Sequence, residues 1–144
     1  MYKKDFGVIT AILKMCDDIY CYYEEGKNTD EMIEDKKTFN AILLSIMQIG
    51  EFAKKLSDEF RNEHAELEWS KITGMRDRIA HDYFGIDKDV VKHVLQDEIG
   101  ALTDALLAII REAMKEVEIY NLVMLPEFVQ TFESNLMKTK VKTL

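Results

Sequence analysis

The sequence has little of what several common folds require. Its 144 residues include one proline, six glycines and two cysteines. So few glycines and prolines leave little turn chemistry for a many-stranded β-sandwich or barrel. The cysteines, Cys16 and Cys21, are five residues apart on different faces of one predicted helix, so we expect no structural disulfide.

Basic residues are also in deficit. The chain has 27 acidic and 19 basic side chains, a net charge of −8 and a pI of about 4.9. Repulsion from phosphates opposes broad coating of nucleic acid or of an anionic membrane, so any RNA contact must come from a local basic site. No apolar run approaches the roughly 18 residues of a membrane span, and no signal peptide is evident. We therefore expect a cytoplasmic protein without membrane contact.

Apolar residues make up 47% of the chain and recur at steps of three and four. This spacing is typical of amphipathic helices, and no segment shows sustained alternation of period two. The pattern predicts a first helix over about residues 2–23, ending before Gly26, and a longest second helix with apolar positions over residues 39–60. A third follows over about residues 69–83, and two helical stretches come after an N-cap at Asp87. We predict an all-α protein, an antiparallel bundle of four to five helices.

Gly50 interrupts the second predicted helix. A glycine inside a helix costs about 1 kcal/mol relative to alanine. We expect that close packing against another helix explains its presence.

The C-terminal residues differ in pattern from the rest of the chain. Four apolar residues there could form one helical face, and three lysines follow them. We therefore predict a helical domain over residues 1–119 and a C-terminal extension, residues 120–144, of unassigned role. The apolar residues are Leu125, Phe128, Phe132 and Leu136, and the lysines are Lys138, Lys140 and Lys142.

Most standard motifs of catalysis are absent from the sequence. It has no glycine-rich phosphate loop and no HExxH zinc motif, so we expect neither a metal nor a cofactor. Residues 74–84 are the exception, because they combine arginine, histidine, aspartate and tyrosine. Between residues 54 and 81, six basic residues balance six acidic ones, which makes this window neutral in an acidic chain.

Arginine and histidine together suit cleavage of RNA. Arg76 could stabilise a phosphoryl transition state, and His81 could exchange the proton of a ribose 2′-OH or of the leaving oxygen. Asp77, four residues before His81, could orient the imidazole, and Arg78 is a second supporting residue. Arg76 and His81 are roughly 140° apart on an ideal helix, so either the helix distorts or a composite site forms across a dimer. Helical spacing also places Tyr83 on the core face.

Three blocks of sequence resemble the HepT-like family of HEPN-domain proteins. The blocks are residues 49–57, 69–72 and 74–87, and the family's Arg-x4-His-x-Tyr motif falls on Arg76, His81 and Tyr83. The resemblance implies a helical bundle that forms a homodimer with a composite cleft. It implies a metal-independent ribonuclease, the toxin of a toxin–antitoxin pair, in which Arg76 and His81 are catalytic. The implied partner is a minimal nucleotidyltransferase antitoxin that transfers AMP to Tyr83 and silences the nuclease.

Two alternatives remain open from the sequence. The chain could be a non-catalytic HEPN module that binds a nucleotide, RNA or the nucleotidyltransferase, because it is acidic and has Asp77 beside the arginine. It could instead be a structural interaction protein that assembles through the apolar residues of its C-terminal extension.

Overall fold

The computed structural model describes residues 3–115, and every regular element in that range is helical. The all-α prediction is confirmed. The predicted extension over residues 120–144 lies outside the described residues, and its boundary stays a prediction. The helices are α1 (Lys3–Glu24), α2 (Thr29–Glu34), α3 (Lys36–Ala53), α4 (Asp58–Glu63), α5 (Trp69–His81), α6 (Lys88–His93) and α7 (Ile99–Met114), with a π-helical segment, Val94–Glu98, between the last two.

The predicted helix boundaries are confirmed where local sequence determines them. Gly26 follows the end of α1 with a positive φ of 86°, a conformation that glycine adopts without strain. Asn28 caps α2, because its side chain accepts a hydrogen bond from the backbone N–H of Glu31 at 2.9 Å. Asp87 caps α6 by accepting from the N–H of Asp89 at 2.8 Å. The two stretches predicted after Asp87 form one continuous helical run.

The prediction of a longest second helix reaching residue 60 is wrong. α3 has 18 residues and ends at Ala53, while α1 has 22. Ser57 begins a new helix, because its Oγ accepts from the N–H of Phe60 at 3.1 Å. The buried carboxylate of Asp5 accepts hydrogen bonds from the N–H and the Oγ of Ser57, both at 2.8 Å. These hydrogen bonds hold the segment between α3 and α4 against the start of α1.

The long helices enclose one hydrophobic core. α3 packs against both α1 and α5, and α7 packs against α1. Isoleucine and leucine side chains from α1, α3 and α7 fill the centre, and most of them are fully buried. Tyr20 of α1 donates a hydrogen bond to Thr103 of α7 at 3.3 Å inside this core. Within residues 3–115, no helix is long and apolar enough to span a bilayer.

Cys16 and Cys21 are both free in the structure. Cys16 is fully buried in α1, and burial raises the pKa of its thiol to about 12. A thiol with that pKa stays protonated and acts as a small apolar side chain of the core.

Asp35 caps α3 and gives the fold a measurable dependence on pH. Its carboxylate accepts hydrogen bonds from the hydroxyl of Thr38, from Lys27 Nζ at 2.9 Å and from the N–H of Thr38 at 3.3 Å. These bonds, that of the Thr38 hydroxyl first, lower the pKa of Asp35 from 3.8 to about 2. A carboxyl whose pKa is lower in the folded state stabilises the fold above its unfolded pKa, and this stabilisation is lost as the pH falls through the folded pKa.

We predict that Asp35→Asn lowers Tm at pH 6, because the amide keeps the shape but removes the charge. The difference in Tm between wild type and variant should shrink between about pH 4 and pH 2, where Asp35 becomes protonated. Thermal unfolding followed by circular dichroism at several pH values measures it. A difference that persists undiminished at pH 2 would contradict the assignment.

Candidate functional site

The motif predicted from the sequence begins on α5. Trp69 is the first residue of this helix. Its indole N–H donates a hydrogen bond to the carbonyl of His64 at 2.9 Å, which anchors the start of the helix. Ile79 is fully buried, while Ile72 and Met75 are half-buried, so this side of α5 faces the core. The helix is α-helical from Trp69 through His81.

α3 and α5 are in close contact at Gly50. A β-carbon at Gly50 would overlap the Cβ of Arg76 and would lie 3.1 Å from the carbonyl oxygen of Ile72. The expectation of close helix packing at this glycine is therefore confirmed. The absent side chain lets the backbone of α3 lie directly against the base of Arg76.

Two carboxylates surround the guanidinium of Arg76. Nε lies 2.8 Å from Oε2 of Glu51, and Nη1 donates to Oδ1 of Asp77 at 3.1 Å. The Nε atom is buried and its N–H makes no well-aligned hydrogen bond, so the attraction to Glu51 is electrostatic. Within residues 3–115, no acceptor forms a hydrogen bond to Nη2. That nitrogen is the part of Arg76 available to a ligand oxygen.

Asp77 has different partners from those expected. Its Oδ1 accepts from Lys54 Nζ at 2.7 Å as well as from Arg76. The hydrogen bond from Lys54 first, and then that from Arg76, lowers the pKa of Asp77 and keeps it ionised. No hydrogen bond between Asp77 and His81 exists in the part of the chain that the structure describes. Lys54, the residue that follows α3, binds the carboxylate that the helical spacing had predicted to orient His81.

His81 and Arg78 are exposed at the last turn of α5. Both line a shallow cleft of about 370 Å³, together with Asp77 and the loop that follows the helix. Arg76 is not among the residues of this cleft. Because α5 stays regular through His81, the alternative in which the helix distorts to bring Arg76 and His81 together is not observed. Within residues 3–115, no three side chains of His, Cys, Asp or Glu are placed to hold a metal ion.

Tyr83 lies outside the core, so its predicted core position is wrong. α5 ends at His81, and the helical spacing no longer applies two residues later. Tyr83 is 39% exposed, and its hydroxyl donates to Oδ1 of Asn40 on α3 at 2.7 Å. Phe84 beside it is fully exposed and Leu44, one turn after Asn40, is 53% exposed. An exposed apolar patch, Leu44, Tyr83 and Phe84, therefore adjoins the motif.

Sequence reasoning missed three residues of α3 and its C-terminal end that contact the motif: Asn40, Glu51 and Lys54. Glu51 and Lys54 lie inside the block 49–57 that resembles the family, so their presence was visible but their partners were not. Their contacts join residues more than 20 positions apart, which local spacing does not reveal.

We predict opposite effects for two glycine substitutions in neighbouring helices. Gly50→Ala should destabilise the fold by about 1–3 kcal/mol, because the new methyl group overlaps Arg76. Gly74→Ala is the matched control, since a β-carbon there meets nothing within 4 Å and should stabilise α5 by up to about 1 kcal/mol. Urea denaturation measures both free energies of unfolding. Equal shifts for the two variants would show that α3 and α5 are not in this close contact.

Comparison with known proteins identifies a family for this chain. A protein-family model described as "Ribonuclease HepT-like" matches residues 11–113. "Putative RNase TTE0752" of Caldanaerobacter subterraneus subsp. tengcongensis is 33% identical over 54% of this chain and 70% of its own length. "Putative RNase MJ0127" of Methanocaldococcus jannaschii is 31% identical over 69% of this chain and 82% of its own.

A further relative, "Probable ribonuclease HepT" of Thermococcus cleftensis, is 33% identical over 51% of this chain and 66% of its own length. No solved structure gave a significant match. The family match extends from the first helix to the last described one and includes Arg76, His81 and Tyr83. The chain therefore belongs to the HepT-like ribonuclease family.

Proposed function

We propose that this protein is a metal-independent endoribonuclease whose site combines Arg76 and His81 of two copies of the chain. The observation that supports it best is the regularity of α5. The two side chains project about 140° apart from an undistorted helix, and His81 lines a cleft that excludes Arg76. A second copy related by a two-fold axis would supply the missing partner to each cleft.

The exposed patch supports a partner surface beside the motif. Leu44 and Phe84 expose large apolar side chains, and such side chains in a group are typical of protein interfaces. A homodimer that covers this patch would bring two copies of the motif close together. The negative charge of each copy opposes this association at long range, so the apolar contact must supply the stabilisation.

The proposed chemistry uses the RNA itself as the source of the nucleophile. The ribose 2′-oxygen attacks the adjacent phosphorus, and the bond from phosphorus to the 5′-oxygen breaks. His81 accepts the 2′ proton or donates one to the leaving oxygen, and Nη2 of Arg76 stabilises the charge on the phosphoryl oxygens. Arg78 lies in the cleft with His81 and would bind a neighbouring phosphate.

We predict that the purified protein cleaves RNA in EDTA and that His81→Ala and Arg76→Ala each lower the rate by about 100-fold or more. His93→Ala and Arg61→Ala are matched controls, because both side chains contact carboxylates elsewhere on the surface. The controls should retain the wild-type rate within about threefold, as ordinary surface substitutions do. Rates are measured on a denaturing gel, with circular dichroism to show that each variant folds.

Mixing the two inactive variants tests the composite site directly. In a heterodimer of Arg76→Ala and His81→Ala chains, one of the two sites contains both native residues. A random equimolar mixture should therefore recover about one quarter of the wild-type activity. A site formed within one chain would recover none, which would overturn the two-copy arrangement while leaving the ribonuclease assignment intact.

The non-catalytic alternative rests on a specific observation. In a single chain, the positive charge of Arg76 is balanced by Glu51 and Asp77, which weakens its attraction for phosphate. A module that binds a nucleotide, RNA or a nucleotidyltransferase without cleaving RNA would show saturable binding and no RNA fragments. That result from the wild-type protein would replace the ribonuclease proposal.

We further propose that the protein is the toxin of a toxin–antitoxin pair, silenced when a minimal nucleotidyltransferase transfers AMP to Tyr83. The Tyr83 hydroxyl is at the surface and its one described hydrogen bond goes to Asn40, which also lies on the surface side of α3. In the transfer, the phenolic oxygen attacks the α-phosphorus of ATP, pyrophosphate leaves and the phenolic proton passes to solvent.

We predict that incubation with the partner transferase and ATP adds one AMP to the wild-type chain and none to Tyr83→Phe. Tyr22→Phe is the matched control, since Tyr22 is a half-buried tyrosine of α1, away from the motif. Intact-mass spectrometry detects the adduct, and cleavage should fall as the adduct accumulates. An AMP found on Tyr83→Phe at the wild-type level would place the modification elsewhere.

A further inference from the structure

A second cavity, separate from the cleft of His81, lies between α5 and the start of α7. This α5–α7 groove has a volume of about 200 Å³ and is lined mainly by apolar residues, with Ile49 of α3 among them. Ile72 and Met75 of α5 lie in its wall half-buried, and Ala101 of α7 lies there exposed. Within the described residues, nothing covers this apolar surface. Arg76, His81 and Tyr83 are not part of its lining.

The charged residues of the groove are mostly acidic. Glu66 and Glu68 immediately precede α5, and Glu98 immediately precedes α7, so the three acids gather where both helices begin. Lys71 is the one basic residue of the lining, and its Nζ lies 3.1 Å from Glu98 and 3.7 Å from Glu68. Three acids and one base leave this end of the groove with a net charge of 1 − 3 = −2.

We propose that the α5–α7 groove is the docking site of this chain's own C-terminal segment, residues 125–142. In that segment the spacing of the apolar residues would place them on one side of a helix, and a cluster of basic residues follows. The apolar side matches the open groove, and the basic cluster matches its acidic end. The apolar residues are Leu125, Phe128, Phe132 and Leu136, and the basic ones are Lys138, Lys140 and Lys142.

The order of these features along the chain fits the direction of α7. This helix leaves the groove near Ile99 and ends at Met114, roughly 24 Å away at 1.5 Å per residue. Residues 115–124 can span up to about 33 Å when extended, so the chain can turn back. A segment that returns antiparallel to α7 reaches the apolar wall first. Its lysines then arrive beside Glu98 and the two acids before α5.

The size of the groove favours a short segment over a whole folded partner. About 200 Å³ accommodates one or two large side chains. A stable interface between two folded proteins covers about 800 Å² of each partner, which a groove of this size does not provide. The covalent link of the segment also gives it a high effective concentration at the groove, so a modest contact is sufficient.

Zero-length cross-linking with a carbodiimide tests the proposal on the unmodified full chain. This reagent joins a lysine to a carboxylate only when the two groups are in contact. We expect links from Lys138, Lys140 or Lys142 to Glu66, Glu68 or Glu98, identified by mass spectrometry of the digested peptides. An equimolar mixture of 14N- and 15N-labelled protein should give these links within one isotope only.

A pair of double variants shows whether the apolar contact holds the segment. Phe128→Ser with Phe132→Ser should reduce the links at least about fivefold. Gln130→Ala with Ser134→Ala should not, because helical spacing would place these two residues opposite the apolar ones. Links between the two isotopes would show that the groove holds the segment of a second copy. The absence of these links would show that the groove is not the docking site. So would links that are equally frequent in both double variants and that spread over other surface acids such as Glu59. Each of these results would overturn the proposal, whether or not the protein cleaves RNA.

Discussion

The contact between α3 and α5 at Gly50 determines where Arg76 lies. With no side chain there, the backbone of α3 lies against the Cβ of Arg76. Glu51, the next residue of α3, then meets the guanidinium at 2.8 Å, and Lys54 at the end of α3 meets Asp77 at 2.7 Å. The position of Arg76 thus depends on a backbone contact and on two ion pairs that could not form at a wider helix separation.

The same contact between α3 and α5 also brings together charged side chains that neutralise one another around Arg76. Arg76 and Lys54 balance Glu51 and Asp77, so the four charges sum to 2 − 2 = 0 within one chain. A phosphate can approach Arg76 at Nη2, and it competes with Asp77 only if it also contacts Nη1. Asp77 keeps Lys54 as a partner when it loses the arginine. The competition is therefore less costly than removal of an isolated carboxylate from its only cation. An acidic chain can in this way present one arginine to RNA without a broad basic surface, and weak electrostatic steering follows.

Local sequence predicted the elements that local interactions determine. The helical spacing, the positive-φ glycine after α1 and the cap at Asp87 all depend on neighbours within a few residues. The end of α3 did not follow from the pattern, because apolar spacing continues to Phe60 while Asp5, 52 residues from Ser57, stabilises the break. The prediction that Tyr83 lies in the core is wrong for a related reason, because α5 ends at His81 and the helical spacing does not extend to residue 83. The partner of Asp77 comes from another helix, and no spacing within residues 69–83 contains that information.

α5 has three distinct surfaces, and the position of each depends on the other two. One side packs on α3 at Arg76, a second lines the α5–α7 groove through Ile72 and Met75, and the last turn exposes His81. Because Met75 and Arg76 are adjacent, a shift of α5 toward or away from the groove also moves the arginine against α3. Close-packed helices move as rigid bodies when one of them is displaced, because the core has little free volume to absorb the displacement. Whatever occupies the groove therefore acts on the same helix that positions the motif, and the arginine cannot be adjusted independently of it.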